Sequence, residues 1–143
     1  MSNIISALTF DGYSIDNFIY KRNYDFNAES PLNEETGLSF KFDVGSHITT
    51  DQAEGFLRIK CTIFDEEFND NQAPFFLELV VSGHFQLRDV GNGLTMEDFE
   101  LNATTILLPY IRSNVTSFTA QAGIDPVILP PVNIYKVMEE NQK

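Results

Sequence analysis

Four stretches of this chain alternate apolar and polar residues one by one, and they follow each other with no helix-length pattern between them. In the first, Phe18, Tyr20, Tyr24 and Phe26 share the even positions with Arg22, while Lys21, Asn23 and Asp25 take the odd ones. Leu38, Phe40, Phe42 and Val44 alternate with Ser39, Lys41 and Asp43; Leu57, Ile59, Cys61 and Ile63 alternate with Arg58, Lys60 and Thr62. The fourth run puts Phe75, Leu77, Leu79, Val81, Phe85 and Leu87 on one face, and Glu78, Ser82, His84 and Gln86 on the other. A side-chain period of two is what a strand with one wet face requires. Arg22 interrupts its apolar face but can lay its stem along it and keep the charge in water. Gly83 predicts a bulge or a close approach of another element. The joints, Asn27 to Thr36 and the acidic Asp65 to Ala73, predict solvated loops. Successive strands joined by such loops favour an antiparallel sheet over a doubly wound parallel one.

One face of that sheet needs a cover. Thr95 to Asp98 fits a capping-box-like helix start, and Glu97, Asp98 and Glu100 put negative charge at the positive helix end. Ala103, Leu107, Ile111, Val115, Phe118 and Ala122 recur at three- and four-residue steps, and Gly123 follows as a stop. Leu101 and Leu108 flank this stripe on one side, and Phe99, Ile106 and Tyr110 on the other, so two or more surfaces of the helix need covering, as a subunit interface would provide. Pro109 should kink or divide the helix, because it removes a donor and clashes with the preceding turn. In "QAGIDPVILPPVNIY", Pro126, Pro130 and Pro131 force an extended connector whose Val127, Ile128, Leu129 and Val132 must find cover. Asn133 can cap a short final helix carrying Ile134, Val137 and Met138. The expected fold is α+β: a four-stranded antiparallel sheet, one long C-terminal helix kinked or split near Pro109, and a short final helix packed on one face. Residues 1–143 are read as a single domain.

Charge and residue inventory exclude several functions. A net charge of -12, from 21 acids against 9 bases, disfavours nucleic acid, since a polyanion would be repelled at long range. The lone Cys61 forms no internal disulfide and takes a core position in its strand. With no export-type start and no apolar run of about 18 to 20 residues, the expectation is a soluble, cytoplasmic chain with no membrane insertion. His47 and His84 lack metal-ligand spacing, Asp65 to Glu67 read as a solvated charge run, and Gly91 to Gly93 lack the spacing of a phosphate loop. Neither a metal, a cofactor nor an enzymatic reaction is expected.

Two segments carry a family resemblance. "ATTILLPYIRSNVTSFTAQAGIDPVILPPVNI", Ala103 to Ile134, resembles the C-terminal half of the SecB protein-export chaperones, with their apolar helix around a Pro-Tyr-x-Arg segment, their glycine stop and their extended connector. "APFFLELVVSGHF", Ala73 to Phe85, resembles that family's fourth strand. The resemblance, which runs from about Ser14 to Met138, implies an ATP-independent holdase. It also implies a homotetramer built as a dimer of dimers, holding non-native polypeptides in apolar grooves. Carried over by position, Phe75, Leu108 and Ile134 would line the groove, with Leu32 from the long loop as a further lip. Leu108 and Ile134 stand where the family has phenylalanine, so the groove would be less aromatic. On the opposite face Glu78 matches an acid that meets the translocase motor ATPase, but Asn23 and Asn27 stand in place of two other acids. The alternative reading of Glu78 is a cross-strand charge pair with Lys41 or Lys60. The opening Ala7 to Asn23 is similar to divergent members associated with toxin–antitoxin systems, so a dedicated antitoxin chaperone is the alternative to export. A scaffold for a folded partner is the reading from another class.

Overall fold

The computed structural model describes residues 8–26, 37–87 and 95–141. Its elements are β1 (Leu8–Arg22), β2 (Phe40–Ile48), β3 (Glu54–Ile63), α1 (Asp65–Asn69), β4 (Phe75–Leu87), α2 (Met96–Gln121) and α3 (Ile134–Asn141). The strands form one antiparallel sheet in the order β1-β4-β3-β2, so the two middle strands follow each other in sequence and the outer two lie at opposite edges. The fold is thus α+β as expected, with helices covering one face.

Period two holds cleanly in the middle strands. Leu57, Ile59, Cys61 and Ile63 of β3 and Leu77, Leu79, Val81 and Phe85 of β4 are fully buried and point toward α2. The helix presents Phe99, Ala103, Leu107, Ile111 and Val115 to them, all without solvent contact. Gly83 marks a close approach: a Cβ there would lie 3.3 Å from both Leu107 methyls. Thr95 caps α2 as expected, its hydroxyl accepting from the Asp98 N–H at 3.0 Å, and Gly123 leaves the helix with φ 87°.

Three expectations are corrected. The first strand is not Phe18 to Phe26 but Leu8–Arg22, and it contains register shifts at Phe10/Gly12 and Ile15/Asn17. Each shift inserts one residue and restores the apolar residues to the same face, so Leu8, Phe10, Tyr13, Ile15, Phe18 and Tyr20 pair along one side despite alternating two- and three-residue spacing. The strand ends where Asn23 turns the chain: its Oδ1 accepts from the Asp25 N–H at 3.0 Å and its Nδ2 donates to the Ala73 carbonyl at 3.0 Å. Tyr24 therefore lies in solvent, and the Arg22 guanidinium rests over its ring at 5.3 Å.

The acidic joint after β3 is not wholly loop. Phe64, in the left-handed region with φ 60°, starts the short helix α1, whose first turn carries Asp65, Glu66 and Glu67 where the helix dipole favours negative charge. Phe68 ties it down against Phe76, ring centroids 6.0 Å apart. Finally, of the two outcomes expected at Pro109, a kink or a division, the division does not occur: α2 runs as one helix from Met96 to Gln121, with the proline on an exposed position. The expectations for Asn27 to Thr36 and for Gly91 to Gly93 lie outside the described residues.

Candidate functional site

The proline connector lies against α2 and is fixed by side chains rather than by a backbone ladder. Arg112 donates from Nε (3.1 Å) and Nη2 (2.9 Å) to the Leu129 carbonyl. The Thr116 hydroxyl donates to the Val127 carbonyl at 2.7 Å, and the Thr119 hydroxyl accepts from the Val127 N–H at 2.8 Å. These three residues stand four and three apart, so they share one helix face and meet an extended strand-like backbone whose own groups would otherwise be unpaired. Leu129 is buried as a result, Val127 and Val132 are half-buried, and Ile128 points away at 74% exposure. An open depression of about 380 Å³ lies beside the clamp, lined by Arg112, Ser113, Thr116, Ser117, Ile128 and Leu129.

Beyond the connector, Asn133 caps α3, its Oδ1 accepting from the Lys136 N–H at 3.3 Å. Val137 and Met138 are buried, with the Met138 sulfur 3.9 Å from the Thr104 hydroxyl of α2. The last described residue, Asn141, reaches the free edge of β2: its Oδ1 accepts from the Val44 N–H at 2.8 Å and its Nδ2 donates to the Phe42 carbonyl at 3.1 Å.

Three of the residues named from the sequence come together in one continuous apolar cluster. Phe75 and Leu108 belong to its buried part and Ile134 packs against it half-exposed. Phe75 is surrounded by aromatic rings, with Phe64 edge-on at 5.2 Å and Tyr20 stacked at 6.0 Å. The Tyr20 hydroxyl is buried and has no hydrogen-bond partner among the described residues. Leu32 lies outside the described residues. Cys61 sits deep in the same interior, and burial pushes its thiol up to about 12, as a core residue rather than a nucleophile.

Glu78 is on the opposite, wet face of the sheet. Its Oε1 pairs with Lys60 at 3.4 Å and its Oε2 accepts from Asn17 Nδ2 at 2.8 Å. The cross-strand partner is thus Lys60, while Lys41 pairs with Asp65 at 3.5 Å. On the same face His84 is held between Asp11 (3.3 Å) and Glu54 (3.0 Å) and stacks on Phe56 at 4.8 Å. Among the described residues no cluster of histidine, cysteine and acidic side chains is disposed to hold a metal. No described helix is long and apolar enough to cross a membrane.

The sequence reading missed the Arg112, Thr116 and Thr119 clamp, although polar residues four and three apart on an otherwise apolar helix were a signal for it. Asn141 carried no such signal, because its partner is a strand nearly a hundred residues earlier in the chain.

Residues 25–143 match the family model described as preprotein translocase subunit SecB. The chain belongs to the SecB family. Among its SecB-family relatives, the protein-export protein SecB of Aromatoleum aromaticum is 28% identical over 90 residues, which are 62% of this chain and 57% of that protein. The export protein SecB of Neisseria meningitidis serogroup C is 30% identical over 95 residues, 63% of this chain and 62% of its own length. The chain thus spans less than two thirds of the SecB export proteins it matches. A similar protein of Methanocaldococcus jannaschii, itself uncharacterized, is covered more fully: 26% identity over 132 residues, 92% of this chain and 83% of that one. In three dimensions the chain resembles a SecB-like chaperone of Mycobacterium tuberculosis solved with a peptide from the HigA1 antitoxin. That match has a TM-score of 0.64 at 12% identity and covers 89% of this chain and 88% of the other. It shows that the SecB-like fold is shared.

Proposed function

We propose that this SecB-family chain is an ATP-independent, non-enzymatic chaperone that holds non-native polypeptides in an apolar groove, working as a cytoplasmic homotetramer. The observation that carries this reading is the contrast along the connector and α3. Leu129 and Val137 are buried, but Ile128 and Tyr135 beside them expose 74% and 72% of their surface. Large apolar side chains held in water next to a continuous apolar cluster suit a surface that accepts many unrelated apolar segments. Phe75, Leu108 and Ile134 form the floor of that groove in this reading, with Leu32 as a lip. Tyr13, Ile15 and Phe18 of β1 and Tyr110 of α2, each close to 40% exposed, supply the subunit contact.

The test is light scattering of an unfolded protein with and without the chain, in the absence of ATP. Ile134→Asp and Tyr135→Asp should lose most of the suppression while native mass spectrometry still finds the parent's assembly. Leu108 is only 4% exposed, so the variant made there is Leu108→Ala, which removes apolar contact without burying a charge. No suppression by the parent would defeat the holdase and favour a scaffold for a folded partner. Between clients, export requires the motor to compete with Lys60 and Asn17 for both oxygens of Glu78. The antitoxin peptide bound by the M. tuberculosis chaperone of the same fold favours testing an antitoxin client alongside.

A further inference from the structure

The chain carries 21 acids against 9 bases, yet from Leu101 to Ile124 it has no acid at all, and the one charged side chain in that stretch is Arg112. Elsewhere Lys41, Arg58 and Lys60 each meet a carboxylate at 3.4 to 4.0 Å. Arg112 has no carboxylate partner among the described residues, although it is half-buried against the connector. Its Nε and Nη2 both donate to the Leu129 carbonyl, which leaves the N–H groups of Nη1 and the second N–H of Nη2 unused. That remaining edge is a fork of parallel donors, the geometry that fits two oxygens of a carboxylate or a phosphate. Ser113 and Ser117 stand beside it, one turn apart on α2. The Ser113 hydroxyl makes no hydrogen bond among the described residues, and the Ser117 oxygen accepts from Gln121 Nε2 at 3.3 Å, so its own proton is free to donate. Arg112, Ser113 and Ser117 line the open depression of about 380 Å³ beside the clamp, and no acid forms part of its wall. A half-buried cation without a counter-ion, next to two hydroxyls with unused protons, is a set of donors that lacks an acceptor.

We infer that this depression is an oxyanion site, in which the free edge of Arg112 and the Ser113 and Ser117 hydroxyls take a carboxylate or a phosphate-type group. Thr116 does not supply a donor, because its proton is committed to the Val127 carbonyl at 2.7 Å. The opening admits a free oxyanion or one carried on a larger molecule, to which the exposed Ile128 offers an apolar contact at the rim. A net charge of -12 repels anions at long range, so the affinity comes from these short contacts alone and is on the order of 1 mM. The same guanidinium holds the Leu129 carbonyl, so an anion that fixes it also fixes the connector. Binding therefore orders Val127, whose N–H already donates to the Thr119 hydroxyl at 2.8 Å. The site is independent of the holdase reading, since it needs no non-native client to fill it.

The experiment titrates the isotopically labelled chain with inorganic phosphate at constant ionic strength and follows the Arg112 Nε–H and the Ser113 and Ser117 amides by NMR. Holding ionic strength fixed separates binding from general screening. All three signals should shift and saturate together, and exchange of the Val127 amide should slow, a readout that needs no variant to fold. Ser117→Asp sets a carboxylate in the site and should abolish the saturable shift. Ser117→Asn has the same shape without the charge and should bind within about threefold of the unchanged chain. Ser113→Ala combined with Ser117→Ala leaves the Arg112 clamp in place and should weaken binding by about fivefold or more. Two capped tripeptides, glycine-glutamate-glycine and glycine-glutamine-glycine, separate the sources of the anion. Binding of the glutamate peptide alone assigns the site to a polypeptide carboxylate, and binding of phosphate with neither peptide assigns it to a free oxyanion. No saturable shift with phosphate or with the glutamate peptide overturns the inference, and so does a shift that persists unchanged in Ser117→Asp.

Discussion

Gly55 lies so close to Phe99 that a Cβ added there would fall 2.6 Å from two atoms of the ring. Because Phe99 is fully buried at the start of α2, the ring has no solvent to move into. Gly55→Ala should therefore cost about 2 kcal/mol, the usual range for overpacking a tight core. Gly83→Ala, whose Cβ would meet Leu107 and Phe85 at 3.1 to 3.3 Å, should cost less than Gly55→Ala, and urea midpoints of the two variants compare them. Cys61 was legible from its alternation with Leu57, Ile59 and Ile63, and burial sets its chemistry. With the thiol at about 12, the thiolate fraction at pH 8 is about one in ten thousand, so a maleimide should label the native chain only at the rate of unfolding. Prompt labelling at pH 8 would place the thiol outside the core. Gly55 had no comparable signal, because the ring it accommodates comes from a helix more than forty residues later.

The connector shows the same division among elements. Its three prolines made it extended, and its apolar residues demanded cover, but which groups would hold it depended on how α2 lies beside it. Arg112→Ala removes both bonds to the Leu129 carbonyl and should destabilise the chain by about 1 to 2 kcal/mol. Amide exchange should rise first in the connector and α3 and leave β3 and β4 protected; uniform loss of protection would mean that the clamp supports the whole fold instead. In α2, Pro109 leaves the carbonyl one turn before it without its helical donor, so Pro109→Ala should raise stability by about 1 to 3 kcal/mol, read by thermal unfolding. The extent of β1 is hidden from strict alternation because its apolar residues are spaced two and three apart; that mixed spacing is itself the mark of a doubly bulged strand.

For the whole molecule, the dominant property is charge. At -12 the chain attracts basic segments over about 10 Å at ~0.1 M salt. Raising salt from ~0.05 to ~0.5 M should weaken binding of a lysine-flanked client several-fold and leave an uncharged client of the same apolar core almost unchanged. Affinities that respond alike would show that basic flanks contribute nothing. The subunit contact is tested at the same scale: Tyr110→Asp together with Ile15→Asp should reduce the assembly to smaller species by native mass spectrometry, since both residues are about two-fifths exposed in the isolated chain.

By itself the sequence determined the class of fold, the two middle strands, both ends of the long helix, the extended connector and the capped final helix. Each of these follows from local rules, side-chain period, capping residues and the fixed backbone angle of proline, which act within a few residues. Only the tertiary structure decided the strand order β1-β4-β3-β2, the Lys60 partner of Glu78, the Arg112 clamp and the seat of Asn141 on β2. Those pairings join groups distant in sequence whose meeting depends on how the sheet and helices pack as bodies, and a polar side chain such as Asn141 is equally at home in water until that packing brings an unpaired edge within reach.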